Sequence, residues 1–474
     1  MTITSERIAT ATRPAAPTQP TRDGSIDAVR AALLVMVVAL HAMMVGVSVG
    51  AAGPQMANAL ENQPWFAPVS WVVQIMPLFF IVGGFASITQ WRALRNKGVL
   101  PAEYVRGRID RLVRPTVVLV AVVGAALLAM TLLGVPAEIV ATASFRIGQP
   151  LWFLVVYILC SALVPVMTRA HENARIASPL LLLAAVVATD LTRMLTGIDA
   201  VGFLNLLFAW LLVQQLGFWL ADGSVEAISP AARAGILATA LGALFLLTRG
   251  VLTSGPYSPD MLVNLNPPTL CLVILGVAQL MAFSLLRPRI TAVAAHPRGA
   301  RVIGALGQRS ITVYLWHMPV LIALSALLLA ANAATGMSLP HPLSPEWWAS
   351  RPLWLVCVGL VVVPVVVLFA RFERGRRTTV GSADSRPVGN SAGHDMGHGA
   401  GQGRGLHVGL DAVLGAGGVA VALVAGFAVL PASISLVLMG CALVGTRRLK
   451  DLTMSFRGMT RATLPADAGS WRTF

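Results

Sequence analysis

Arg30 and His41 both stand in the first long apolar run of the chain, Ala28-Val29-Arg30-Ala31-Ala32-Leu33-Leu34-Val35-Met36-Val37-Val38-Ala39-Leu40-His41. Their separation of eleven positions returns to within roughly 20° of one helix face at about 100° per residue. The rise over that interval is roughly 16 Å, which puts Arg30 at a membrane surface and His41 near mid-bilayer. An ionisable side chain at that depth is costly in lipid and points to function. A neutral imidazole there has the chemistry of a general base toward a hydroxyl. Asp27 falls within about 60° of the same face. It is about 21 Å from His41 along the helix, too far to orient the imidazole, and is expected to brace Arg30 as an i,i+3 partner.

A second intramembrane histidine, His317, occurs in Arg309-Ser310-Ile311-Thr312-Val313-Tyr314-Leu315-Trp316-His317-Met318-Pro319. It follows Arg309 by about 12 Å of helix, a depth like that of His41, so both could line one cavity. The competing reading is a histidine that bonds across a helix interface or to carbonyls freed by Pro319. Arg108, Arg111 and Arg114 recur at three-residue spacing in Arg106-Gly107-Arg108-Ile109-Asp110-Arg111-Leu112-Val113-Arg114-Pro115. Guanidinium groups on one helix face suit the phosphates of a nucleotide-like donor; plain anchoring to anionic lipid is the alternative. Trp152, Asp190, Arg193 and Arg249 are expected near the opposite ends of their helices, meeting a polar acceptor or sitting at the interface. His394 and His398 lie in a Gly-rich stretch with no scaffold for a metal, and no metal site is expected.

The elements that must hold these residues follow from composition. Of 474 residues 56% are hydrophobic and only 12% charged, against about 25% charged in soluble domains, so the chain is read as a polytopic membrane protein. The net charge of +15 falls in short loops with no aromatic-interleaved basic patch, which excludes nucleic acid as a partner. Apolar runs at 28–50, 69–91, 115–134, 150–168, 178–196, 202–221, 233–253, 268–286, 310–331 and 352–372 predict ten spans. The basic loops after the second, eighth and tenth spans fall on one side, which places both ends in the cytoplasm, with the plasma membrane as the location. The expected fold is an all-α integral membrane protein. It comprises a disordered N-terminus (1–25), a ten-helix transmembrane bundle (26–372), a Gly/Ser-rich linker (373–407), a C-terminal two-helix hairpin (408–446) and a cytoplasmic tail (447–474).

Taken in order across 22–372, several pieces resemble the acyltransferase 3 family. They are Ile26-Asp27-Ala28-Val29-Arg30 followed by ten residues and His41, then Met76-Pro77-Leu78-Phe79-Phe80 with Gly83-Gly84-Phe85. The arginine run from Arg108 to Pro115, Leu151-Trp152-Phe153-Leu154 and Tyr314-Leu315-Trp316-His317-Met318-Pro319 complete the set. The resemblance implies transfer of an acyl group, often acetyl, from cytosolic acyl-CoA to a hydroxyl of a glycan, a lipid or a glycosylated metabolite. It also implies that Arg30 and His41 form the catalytic element, His41 acting as general base or acyl carrier. His317 would assist, Arg108, Arg111 and Arg114 would bind the donor, and Asp27 and Trp152 would support them. Gly83-Gly84 stands where many members have Ser-Gly, and nothing beyond residue 373 matches. The rival reading is a transporter or flippase whose histidines relay protons.

Overall fold

The computed structural model describes residues 23–50, 53–251, 255, 257–372 and 398–462. The predicted linker to residue 397 and the N-terminal segment to residue 22 lie outside them.

The described residues are helical almost throughout. Helix α1 (Gly24–Met44) is followed by strands β1 (Val45–Gly50) and β2 (Gly53–Asn58), and then by α2 (Phe66–Val73), α3 (Met76–Arg95) and α4 (Pro101–Leu132). Next come α5 (Ala137–Gly148), α6 (Leu151–Asn173), α7 (Ala177–Thr196), α8 (Asn205–Ala221) and α9 (Pro230–Thr248). The family of long helices continues with α10 (Leu270–Ala295), the short amphipathic α11 (Pro297–Gly307), α12 (Ser310–Thr335) and α13 (Pro345–Phe369). The final pair is α14 (His398–Ala425) and α15 (Val429–Ala462). Among the described residues eleven helical segments are long and apolar enough to cross a membrane, ten between Gly24 and Phe372 and the last at His407–Ala425.

Three departures from the predicted spans bear on the site. The first helix stops at Met44 instead of reaching residue 50, because Val-Gly-Val-Ser-Val-Gly alternates β-branched with small residues and favours extended backbone. Those residues form an antiparallel hairpin in which Val45 pairs with Asn58 and Gly50 with Gly53, and Val45 to Val47 are buried. The second span is broken between α2 and α3 at Gln74-Ile75, just before Pro77. A break inside a bundle leaves backbone groups that lipid cannot satisfy. Gln279 of α10 answers two of them, accepting from the Leu78 amide at 2.9 Å and donating to the Gln74 carbonyl at 2.7 Å. Third, residues expected to form the loop before residue 150 form α5, so α5 and α6 together make one long segment jointed at Gln149-Pro150.

Helices α3 and α8 approach backbone to backbone at two glycines. A Cβ on Gly84 would run into the Gln214 carbonyl oxygen, and one on Gly217 into that of Ile81. Close approach of this kind is how small residues hold membrane helices together. The α14–α15 pair lies against α4, α5 and α6; the Phe427 amide donates to Ser144 Oγ at 2.9 Å, and Ser435 Oγ to the Gly418 carbonyl at 2.7 Å.

Candidate active site

His41 occupies the last turn of α1, and its helix is fixed at both ends. At the start, Asp23 caps the Ser25 and Ile26 amides and pairs with Arg287 of α10 at 2.5 Å. Burial acts to raise the Asp23 carboxyl, but hydrogen bonding from Ser25 and Arg287 outweighs it and holds the group below the usual carboxylate range. At the finish, Val45 donates its amide to the His41 carbonyl, and Trp354 of α13 donates its indole N–H to the Ala42 carbonyl at 3.0 Å.

His317, on α12, is fully buried at 0% exposure, whereas His41 is only partly buried. The two rings have centroids 5.0 Å apart. Their nitrogens define a proton order. His317 Nδ1 lies 2.6 Å from the Tyr314 carbonyl, which can only accept, so Nδ1 carries the hydrogen. In the neutral ring Nε2 is then an acceptor. It lies 3.2 Å from His41 Nδ1, and that nitrogen is also 3.0 Å from the Val37 carbonyl. Two acceptors around one nitrogen make His41 Nδ1 the protonated position, leaving the Nε2 lone pair of His41 as the available base.

A continuous run of aromatic contacts leads from this pair toward the arginine helix. Tyr314 is 6.0 Å from His317 and 5.2 Å from Phe153, centroid to centroid. Phe153 stacks on Tyr157 at 5.4 Å, and both rings flank Phe79 and Phe80. Tyr157 in turn lies within electrostatic reach of Arg108 and touches the position of Gly83. Tyr314 also donates its hydroxyl to the Pro150 carbonyl at the α5–α6 joint, so the joint and the dyad are tied together.

The three arginines of α4 do not act alike. Arg108 turns inward, donating to Tyr104 Oη at 3.2 Å and Ser87 Oγ at 3.4 Å, with its guanidinium over the Tyr104 ring. No carboxylate pairs with it among the described residues. Arg114 is neutralised by Asp110 at 2.6 Å, and Arg111 is exposed. Neighbouring cations are neutralised too: Arg92 pairs with Glu172 at 3.0 Å and Asp222 at 2.5 Å, and Arg95 with Glu172 at 2.8 Å. Burial acts to raise the Asp222 carboxyl, yet Arg92 and His171 bring it below the usual carboxylate range. Arg108 thus donates to neutral groups, where Arg92, Arg95 and Arg114 pair with carboxylates.

The remaining expected site residues are placed as follows. Arg30 is half-buried on α1, a helical rise of roughly 16 Å from His41, so it does not touch the imidazole. Among the described residues no ion pair joins Asp27 to Arg30; Asp23, at the N-cap of α1, pairs with Arg287. Trp152 is the second residue of α6, at the α5–α6 joint, 6.2 Å from both Trp210 and Phe153. Asp190 is a buried brace that accepts from Asn205 at 2.9 Å, Leu270 N at 2.9 Å and Tyr257 at 3.2 Å; burial and that carboxylate push the Tyr257 phenol upward. Arg193 pairs with Asp199 and Arg249 lies over Phe245. His394 is outside the described residues. Tyr314, Phe153, Tyr157 and Gln279 join the site only through their contacts, which their residue types and local spacing do not signal.

A family model described as an acyltransferase domain matches residues 23–371, which includes every residue of the dyad, the aromatic run and α4. No curated protein and no solved structure matches the chain.

Proposed function

This chain belongs to the acyltransferase 3 family of membrane acyltransferases, and from that premise we propose that it transfers an acyl group, most simply acetyl, from acyl-CoA to a hydroxyl of a glycan, a lipid or a glycosylated metabolite. The observation that carries the reading is the His41–His317 contact, which leaves one imidazole nitrogen basic and partly accessible while a fully buried ring holds the other.

In the proposed reaction the acceptor hydroxyl gives its proton to His41 Nε2 as its oxygen attacks the thioester carbonyl carbon. The new C–O bond forms, the C–S bond breaks, and the CoA sulfur leaves with the proton that His41 returns. The transient imidazolium keeps its Nδ1–H between the Val37 carbonyl and His317 Nε2, both acceptors, so the charge forms where acceptors are already aligned. Arg108 supplies an uncompensated guanidinium for the donor's phosphates, in line with the aromatic run. Arg30 lies on the same face of α1, roughly 16 Å back along the helix, and would act on donor charge at the membrane surface. Loop charge favours a cytoplasmic position for the arginine end and the plasma membrane as the location.

The test is acyl transfer from radiolabelled acetyl-CoA to a mixed glycan and glycolipid fraction by the purified protein in nanodiscs. Label moving to the acceptor fraction supports the reading. Ion-driven uptake in proteoliposomes, with acetyl-CoA left intact, would favour the transporter reading instead.

A further inference from the structure

A second cation lies on the other side of His41 from Arg108. Arg351, in the second turn of α13, is half-buried and has its guanidinium 4.2 Å from the Trp347 ring centroid and 5.5 Å from that of Trp354. It donates to the Trp347 carbonyl at 3.2 Å and to Ser350 Oγ at 3.1 Å. Among the described residues no carboxylate pairs with it. A guanidinium drawn between two indoles and left without a counter-charge is a strong place for an oxyanion, because its rigid fork matches carboxylate and phosphate oxygens and it gives up hydration easily.

Arg351 lines a cavity of about 30 Å³ together with Trp347, Trp354, Leu339, Val45 and Val47. That volume admits a small charged group but not a sugar ring. The cavity is joined to the reacting residue through backbone: Val45 bonds to the His41 carbonyl and Trp354 to that of Ala42. It also lies beside the loop that follows α12, whose run away from Arg309 brings the chain to the bundle end opposite the arginine helix.

We propose that this cavity is an acceptor subsite, in which Arg351 grips a carboxylate or phosphate carried by an anionic saccharide whose hydroxyl is presented to His41. The proposal rests on the acyl-transfer reading and adds the charge of the acceptor. Donor and acceptor would then be held by separate guanidinium groups, Arg108 and Arg351, with the dyad between them.

Binding measured without any acyl donor tests this apart from the transfer reaction. The full-length protein in phosphatidylcholine nanodiscs is titrated calorimetrically with octyl glucuronide and with octyl glucoside, both at monomeric concentrations. The glucuronide is expected to bind about tenfold tighter than the glucoside to the wild type and equally so to His41→Ala. Arg351→Gln should erase the difference and Arg351→Lys should reduce it, since the ammonium keeps the charge but loses the fork. Equal affinity for the two glycosides, binding of neither, or a preference that survives both substitutions would overturn the subsite. Loss of label transfer with the preference intact would instead count against the reaction and leave the subsite standing.

Discussion

His317 Nε2 lies 3.2 Å from His41 Nδ1, although 276 positions separate the two residues in the chain. The fully buried ring stands behind the partly accessible one and fixes which of its nitrogens holds the hydrogen. His317 is therefore assigned the role of positioning residue, acting through His41.

If that is so, His317→Ala should lower kcat by about 10–100-fold while leaving the donor KM near the wild-type value. His317→Gln, whose amide oxygen can still accept from His41, should recover part of the loss and shift the pH profile of kcat less than the alanine variant. An alanine variant with unchanged kcat and pH profile would reduce the contact to packing.

The arginine helix gives a graded prediction. Arg108→Ala should raise the acyl-CoA KM by about 10–100-fold, the effect of losing a charge-assisted contact of ~1.5–3 kcal/mol. Arg114→Ala should raise it far less, because Asp110 already neutralises that guanidinium, and Arg111→Ala should follow Arg114→Ala. Equal effects from all three, measured by initial rates at varied acetyl-CoA, would mean that the run acts as a diffuse charge.

The two glycines of α3 should respond oppositely. Gly84→Ala drives a methyl into the Gln214 carbonyl and should destabilise the bundle by about 1–3 kcal/mol or more, the range of overpacked contacts. At Gly83 an added Cβ meets Tyr157 at an ordinary 3.6 Å, so Gly83→Ser should fold normally. Thermal unfolding in detergent separates the two; a tolerated Gly84→Ala would contradict the α3–α8 contact.

Acid should loosen the basic end first. The Asp23 and Asp222 carboxyls are both held below the usual range in the folded chain. A carboxyl with a depressed native pKa stabilises the fold fully above its unfolded value of about 4, and that contribution disappears as pH falls through the native value. The unfolding midpoint should thus drop below about pH 4, and Asp23→Asn or Asp222→Asn should flatten that limb. An identical acid limb in wild type and both variants would rule out this source.

Much of this architecture could be read from residue patterns, for definite reasons. Ten spans, the arginine run and the similar depth of His41 and His317 follow from hydropathy and helical rise, which are local properties. What was not legible depends on contacts. The end of α1 at Met44 rests on a valine–glycine alternation inside an otherwise apolar run, where hydropathy alone cannot tell strand from helix. The α2–α3 break is held by Gln279, some 200 positions away, and the pairing of Arg114 but not Arg108 depends on which way each side chain turns. The Asp23–Arg287 pair at the start of α1 joins two residues that no local spacing connects. The stretch before Trp152 lacks the hydropathy of a span, so its folding as α5, and the joint where Trp152 meets Trp210, depend on contacts that hydropathy does not carry.

The most direct test of the proposed reaction is the rate of label transfer from radiolabelled acetyl-CoA to the glycan and glycolipid fraction by His41→Ala beside the wild type, in nanodiscs and at matched thermal stability. A fall of about 10²–10⁴-fold, the contribution of a positioned general base, is the predicted result. Transfer at the wild-type rate in a folded His41→Ala protein would contradict the account.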